Sequence, residues 1–213
     1  NIDARVGRLT IRRAVARKVA FTGQLVGGVL SIAKFGVADV VGARFDVTGM
    51  VKGFGGTPSL AVDYDIAIGK PEQLLRYLDI PMPVPVATLG EPTVTGSISG
   101  TASAFELSAN IAALGGTFGF DGALDLAGGA PSLIAAITLN HPELVDFIRL
   151  LVPEFNPAAA KMGPLKASFK IKGGPENINI SALELMAGPV TLKGSIALQS
   201  SGPRPVISAR LTT

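Results

Sequence analysis

Between Gly115 and Leu151 the chain reads GGTFGFDGALDLAGGAPSLIAAITLNHPELVDFIRLL, and its apolar side chains recur at every second residue. Phe118, Phe120, Leu124 and Leu126 alternate, through Gly122, with Thr117, Asp121 and Asp125. A period of two belongs to a strand with one face packed and the other wet. After Gly128-Gly129 the alternation restarts with Leu133, Ala135, Ile137 and Leu139, so two antiparallel strands joined by a turn are predicted. A short helix is then predicted over 141–152, opened by Asn140-His141-Pro142-Glu143 with His141 as its cap, because Pro is tolerated where the first helical N–H has no partner.

The same order occurs upstream. Phe45, Val47 and Val51, with Ala43 and Gly49, alternate with Arg44, Asp46, Thr48 and Lys52. A Gly53 to Gly56 turn follows. The next strand carries Leu60, Val62, Tyr64, Ile66 and Ile68, and Lys70-Pro71-Glu72 opens a helix to Leu78. Gly42, Phe45, Gly49 and Pro58 each lie 73 residues before Gly115, Phe118, Gly122 and Pro131, while Pro71 lies 71 before Pro142. Downstream, Val190, Leu192, Ile196 and Leu198 alternate with Thr191, Lys193 and Ser195, and Ile207, Ala209 and Leu211 follow. The first 35 residues contain three or four further strands without a legible register.

A repeat of this length denotes an array of one supersecondary unit. Three repeats are expected within one continuous elongated domain: 1–83, ending in a helix at 70–78; 84–162, with the helix at 141–152; and a shortened 163–213. Pro81-Met82-Pro83-Val84-Pro85 reads as a stiff connector between the first two.

Strands with one wet face are not those of a helix-covered parallel sheet. Two short helices cannot cover a dozen strands spaced about 4.8 Å apart. The expected fold is therefore mainly β, with repetitive antiparallel strands curled into an elongated open groove and short helices between repeats. Its floor is the alternating apolar set from Phe45 to Val51, Leu60 to Ile66, Phe118 to Leu126, Leu133 to Leu139 and Val190 to Leu198. Such a floor exposes more contiguous apolar surface than a monomer ordinarily leaves bare, which points to an occupant. Aliphatic residues dominate, so hydrocarbon chains suit it.

Composition adds restrictions. The chain is 47% hydrophobic, with no Trp and no Cys, and its mean hydropathy is +0.44. No apolar run approaches the roughly 18 residues of a membrane-spanning helix. The absence of cysteine removes disulfides, thiol catalysis and Cys-ligated zinc. Of the net charge of +3, the first 18 residues carry +5, from Arg5, Arg8, Arg12, Arg13, Arg17 and Lys18 against Asp3. These positions interleave with apolar ones, so they read as solvated strand faces guarding an edge.

No catalytic or metal constellation is expected, and no cofactor. His141 is the sole histidine, which precludes a His-based metal site or triad. The glycines at 53–56 precede a strand and so lack the helix N-terminus of a phosphate loop. Asp63 with Asp65, and Asp121 with Asp125, fall on wet strand faces. Nucleic acid is not an expected partner, since basic residues interleaved with stacking aromatics are missing.

The pattern resembles the AsmA family of envelope proteins, relatives of TamB. The resemblance is carried by Gly188-Pro-Val-Thr-Leu-Lys-Gly-Ser-Ile-Ala-Leu with Gly202-Pro-Arg-Pro-Val-Ile-Ser-Ala-Arg-Leu, and by His141-Pro-Glu-Leu followed by Gly163-Pro-Leu-Lys-Ala-Ser-Phe. It implies a periplasmic β-groove and an inner-membrane anchor outside this chain, which opens at Asn1 and reads as a piece of a longer protein. It also implies phospholipids as cargo, with inner- and outer-membrane proteins as further partners. The expected function is that of a lipid-binding groove module without enzymatic activity; a scaffold for outer-membrane proteins is the alternative.

Overall fold

The computed structural model describes residues 1–213 apart from 12, 54–55, 81–88, 160 and 201–204. The Pro81 to Pro85 connector and the middle of the Gly53 to Gly56 turn thus lie outside the described residues. Among the described residues thirteen strands follow one another in chain order in one antiparallel sheet. They are β1 (Ile2–Ile11), β2 (Ala14–Val26), β3 (Val29–Val40), β4 (Ala43–Lys52), β5 (Ser59–Ile68), β6 (Thr93–Thr101), β7 (Ala104–Ala113), β8 (Gly116–Asp125), β9 (Ser132–His141), β10 (Leu165–Gly173), β11 (Asn177–Ala187), β12 (Val190–Gln199) and β13 (Val206–Thr212). Two short helices interrupt them, α1 (Pro71–Leu78) after β5 and α2 (Leu144–Leu151) after β9. The chain is therefore mainly β, an open antiparallel sheet whose end strands β1 and β13 each have one neighbour.

Residue contacts divide the chain into two units, Asn1–Ala102 with Ala109–Ala113, and Ser103–Ser108 with Leu114–Thr213. The first holds β1 to β6 and α1. Residues 1–40 form three strands there. Their register is illegible in the sequence because the alternation breaks. Lys18 adopts a left-handed φ of 51°, and β3 shifts register against β4 between Val37 and Val40. Apolar positions consequently jump from Val19 to Ala16 and from Val37 to Val40, three residues instead of two.

The second unit holds β8 to β13 and α2. Its β8, β9 and β10 reproduce the register of β4, β5 and β6 displaced by 73 residues. Phe45 faces Ile66, which faces Val94; Phe118 faces Leu139, which faces Ala167. Leu60 opposite Gly100 matches Leu133 opposite Gly173. The turns match too: Val41-Gly42 has φ of 54° and 81°, and Leu114-Gly115 has 57° and 74°, the paired positive values of a tight hairpin turn.

The helices obey the same displacement, and this corrects the expected start of the second. Residue 70 caps α1 and residue 143 caps α2. Pro71 is the first helical residue, whereas Pro142 precedes the cap. His141 is not a helix cap but the last residue of β9. The cap is Glu143, whose carboxylate accepts the Val145 N–H at 3.4 Å, a donor that the helix start leaves bare, and also the Met162 N–H at 2.8 Å.

Candidate apolar ligand face

Cross-strand pairing assembles the alternating residues into rows. In the first unit one row runs Val6, Val19, Val37, Phe45, Ile66, Val94, and the next runs Ala4, Phe21, Phe35, Val47, Tyr64. Val51 pairs with Leu60, and Gly49 with Val62. In the second unit Phe120 pairs with Ile137 and Leu124 with Leu133. Rows continue from Ala135 through Ile171, Ile180 and Ile196 to Ala209, and from Leu139 through Ala167 and Leu185 to Leu192. Leu198 faces Ile178.

Every sequence-predicted lining residue lies on a strand except Leu126, which follows β8 and donates its N–H to the Ser103 carbonyl at 2.7 Å. Val190 opens β12 and is 56% exposed. The rows also recruit residues missing from the predicted set: Ala4, Val6, Val19, Phe21, Phe35 and Val37 in the first unit, and Phe169, Ile171, Ile178, Ile180 and Leu185 in the second. Alternation from Leu165 to Ile171 signals β10. The bulge between Ile180 and Leu183 hides the register of β11.

None of the predicted lining residues is buried. Among the described residues the buried apolar side chains are Ala14, Ala16, Val37, Ala43, Ala135, Leu144, Val145 and Leu165, half of them alanines. The surface total agrees. The chain exposes 13638 Å², whereas a compact monomer of this mass exposes about 9,300 Å² and two separately folded halves about 11,200 Å². The apolar rows are half-covered by their neighbours in the sheet.

One place on the face deepens into a cleft. Leu124, Pro131, Leu133, Ile171, Gly173, Gly174, Pro175 and Ile178 enclose about 320 Å³, with almost no polar atom in the wall. Gly173 has no side chain because a Cβ there would strike the Asn177 carbonyl, and its neighbours Leu133 and Ile178 flank the resulting gap. A peptide laid in such a cleft would find no partner for its backbone polar groups. A hydrocarbon chain needs none.

The opposite face is polar. Arg44 pairs with Asp46 and Asp65, and Lys193 with Glu184 at 2.8 Å. Asp125 accepts the Ala127 N–H at 2.8 Å in a turn. His141 is 5% exposed. Its Nε2 lies 3.0 Å from the Leu114 carbonyl and its Nδ1 2.6 Å from the Glu143 carbonyl, with the Phe147 ring centred 5.5 Å away. These contacts tie the hairpin turn at Leu114 to the start of α2. Among the described residues no group of three His, Asp or Glu could hold a metal ion, and no helix is long and apolar enough to cross a membrane.

Comparison with protein-family models, with curated proteins and with solved structures finds no match to this chain.

Proposed function

We propose that the uncovered apolar face carries the acyl chains of lipids, and that the chain is a groove module of a larger periplasmic protein of the AsmA kind, moving phospholipid between inner and outer membranes. The observation that carries this reading is the half-exposed state of the aliphatic rows, together with the cleft around Gly173, whose wall suits hydrocarbon and little else. Burying an aliphatic chain there removes apolar area from water on both partners, worth about 25 cal/mol per Å². The resemblance in the sequence supplies the compartment and the cargo. The sheet supplies the means.

The test is native mass spectrometry of the purified chain, with photocrosslinking from positions 124 and 192. Co-purifying phospholipid and crosslinks to it are expected from both positions, and Leu124→Asp should reduce loading near Gly173 more than it reduces the crosslink at 192. Lipid-free protein with no crosslink from either position overturns the reading.

A further inference from the structure

The 73-residue displacement that relates β4, β5 and β6 to β8, β9 and β10 extends to the side chains around the cleft. Val51, Leu60, Ile98 and Gly100 stand 73 residues before Leu124, Leu133, Ile171 and Gly173. The pairing agrees. Val51 faces Leu60, which faces Gly100, as Leu124 faces Leu133, which faces Gly173. Ile98 precedes Gly100 by two positions on β6, and Ile171 precedes Gly173 by two on β10, so each isoleucine shares its glycine's face. The wall of the second unit's cleft thus has a counterpart in the first, in the same register and of the same aliphatic kind.

The gap recurs by a different route. At Gly173 a Cβ would strike the Asn177 carbonyl. Gly100 instead has φ of 120°, a backbone that a residue with a Cβ adopts only under strain. Two constraints unlike in kind leave the same row position bare, opposite a leucine in each unit. Leu60, beside the gap, is 37% exposed. From Val51 the row continues to Leu30 and Leu25, aliphatic throughout, and Leu25 is 54% exposed.

We propose that the first unit holds a second acyl-chain subsite, at Gly100, equivalent to the cleft at Gly173, so that each of the two units takes a hydrocarbon chain of its own. Leu25, Leu30, Val51 and Leu60 offer no partner to the backbone polar groups of a peptide. They offer an aliphatic chain continuous apolar contact along the row, ending at a position with room for a methylene where a side chain would otherwise stand. This subsite rests on the acyl-chain reading of the sheet and adds to it a count and a place.

The experiment is titration of the chain with palmitoyl lysophosphatidylcholine below its micelle concentration, read by native mass spectrometry and by photocrosslinking from positions 30 and 178. Each probe molecule has one acyl chain, so the bound molecules count the subsites. Two bound molecules are expected, with crosslinks from both positions. Leu60→Asp should weaken the crosslink from 30 at least about tenfold, because a carboxylate beside the acyl chain would have to lose water, and should leave the crosslink from 178 within about twofold. Leu133→Asp should do the reverse. Val51→Thr, which keeps the shape and adds a hydroxyl, repeats the test with less disturbance of the fold and should weaken the crosslink from 30 about threefold. Unchanged thermal unfolding establishes that the variants fold. One bound molecule, lost in Leu133→Asp and kept in Leu60→Asp, overturns the second subsite and leaves the acyl-chain reading standing. A crosslink from 30 that ignores both Leu60→Asp and Val51→Thr, or that falls equally with the one from 178, overturns it as well. No bound molecule and no crosslink from either position overturns both.

Discussion

Asp46 and Asp65 stand directly opposite one another on β4 and β5, and the Arg44 guanidinium reaches both, at 3.4 and 3.7 Å. Two carboxylates in register repel, and the arginine offsets that repulsion from the neighbouring row, where it stands opposite Ala67. Arg44→Ala should therefore destabilise the first unit by about 0.5–1 kcal/mol, the scale of exposed pairs. Adding Asp65→Asn should recover most of the loss, because the repulsion goes with the charge. Urea unfolding of the single and double variants checks this. Additive losses in the double variant would contradict it.

The turn at Val41 stores strain. A β-branched residue at φ of 54° puts its Cβ against the following carbonyl, which costs about 1–2 kcal/mol. Asn accepts that conformation, and Asn-Gly is the favoured sequence for a turn with two positive φ values. Val41→Asn should raise the stability of the first unit by about 1 kcal/mol, read as a higher Tm. The equivalent Leu114→Asn should help less, as Leu is not branched at Cβ and its carbonyl remains bonded to His141 in either case.

Glu143 predicts a pH dependence. Its carboxyl is held below the ordinary carboxylate range, first by the Met162 N–H and then by the N–H groups of Val145 and Gly163 and the charge of Lys161, while partial desolvation opposes them. A depressed native pKa means that the unfolded chain binds the proton more readily, so stability rises with pH through the window between the native and unfolded values. The contribution is complete above the unfolded value, near 4.5, and disappears as acid protonates the native carboxylate. Glu143→Gln should lower the Tm at neutral pH and flatten its decline in acid. Parallel acid limbs for the two proteins would contradict this.

How much the sequence discloses follows from where alternation survives. β4, β5, β8 and β9 keep an unbroken period of two, so the strand pairing of Phe45, Leu60, Phe118 and Leu133 follows from it. The left-handed backbone at Lys18 breaks the alternation without shifting the register, and the bulges after Val37 and Ile180 each insert an unpaired residue, which inverts the face on which later side chains stand. No residue type announces this. A lysine at positive φ is unremarkable in the sequence, and so β1 to β3 and β11 can be seen as strands but not placed in register. His141 escapes its true place for a different reason. Pro142 suits a helix start, yet β9 runs two residues beyond Leu139, the last of its apolar alternation, and the capping oxygen comes from Glu143. The cleft at Gly173 is out of reach, because it depends on the three-strand register that brings Leu133 and Ile178 to either side of a glycine.

That register places a demand on Gly49 that composition does not reveal. Gly49 stands on the apolar face at φ of 137°, beside the shift between β3 and β4, and a Cβ at this position would collide with the Ala61 carbonyl and the Val62 backbone. These are backbone atoms of the paired strand, which cannot turn aside as a side chain would. Gly49→Ala should cost at least about 2 kcal/mol from conformation and collision together. Gly128 supplies the contrast: it lies in the turn after β8, where a Cβ would meet nothing within 4 Å and the backbone has no positive φ. Gly128→Ala should remain within about 0.5 kcal/mol of the parent. If Gly49 is required for the bulge and not for the ligand, Gly49→Ala lowers the urea midpoint while the second unit still acquires lipid at Leu124; equal midpoints for the two alanine variants would show that β4 and β5 do not approach as closely as their register implies.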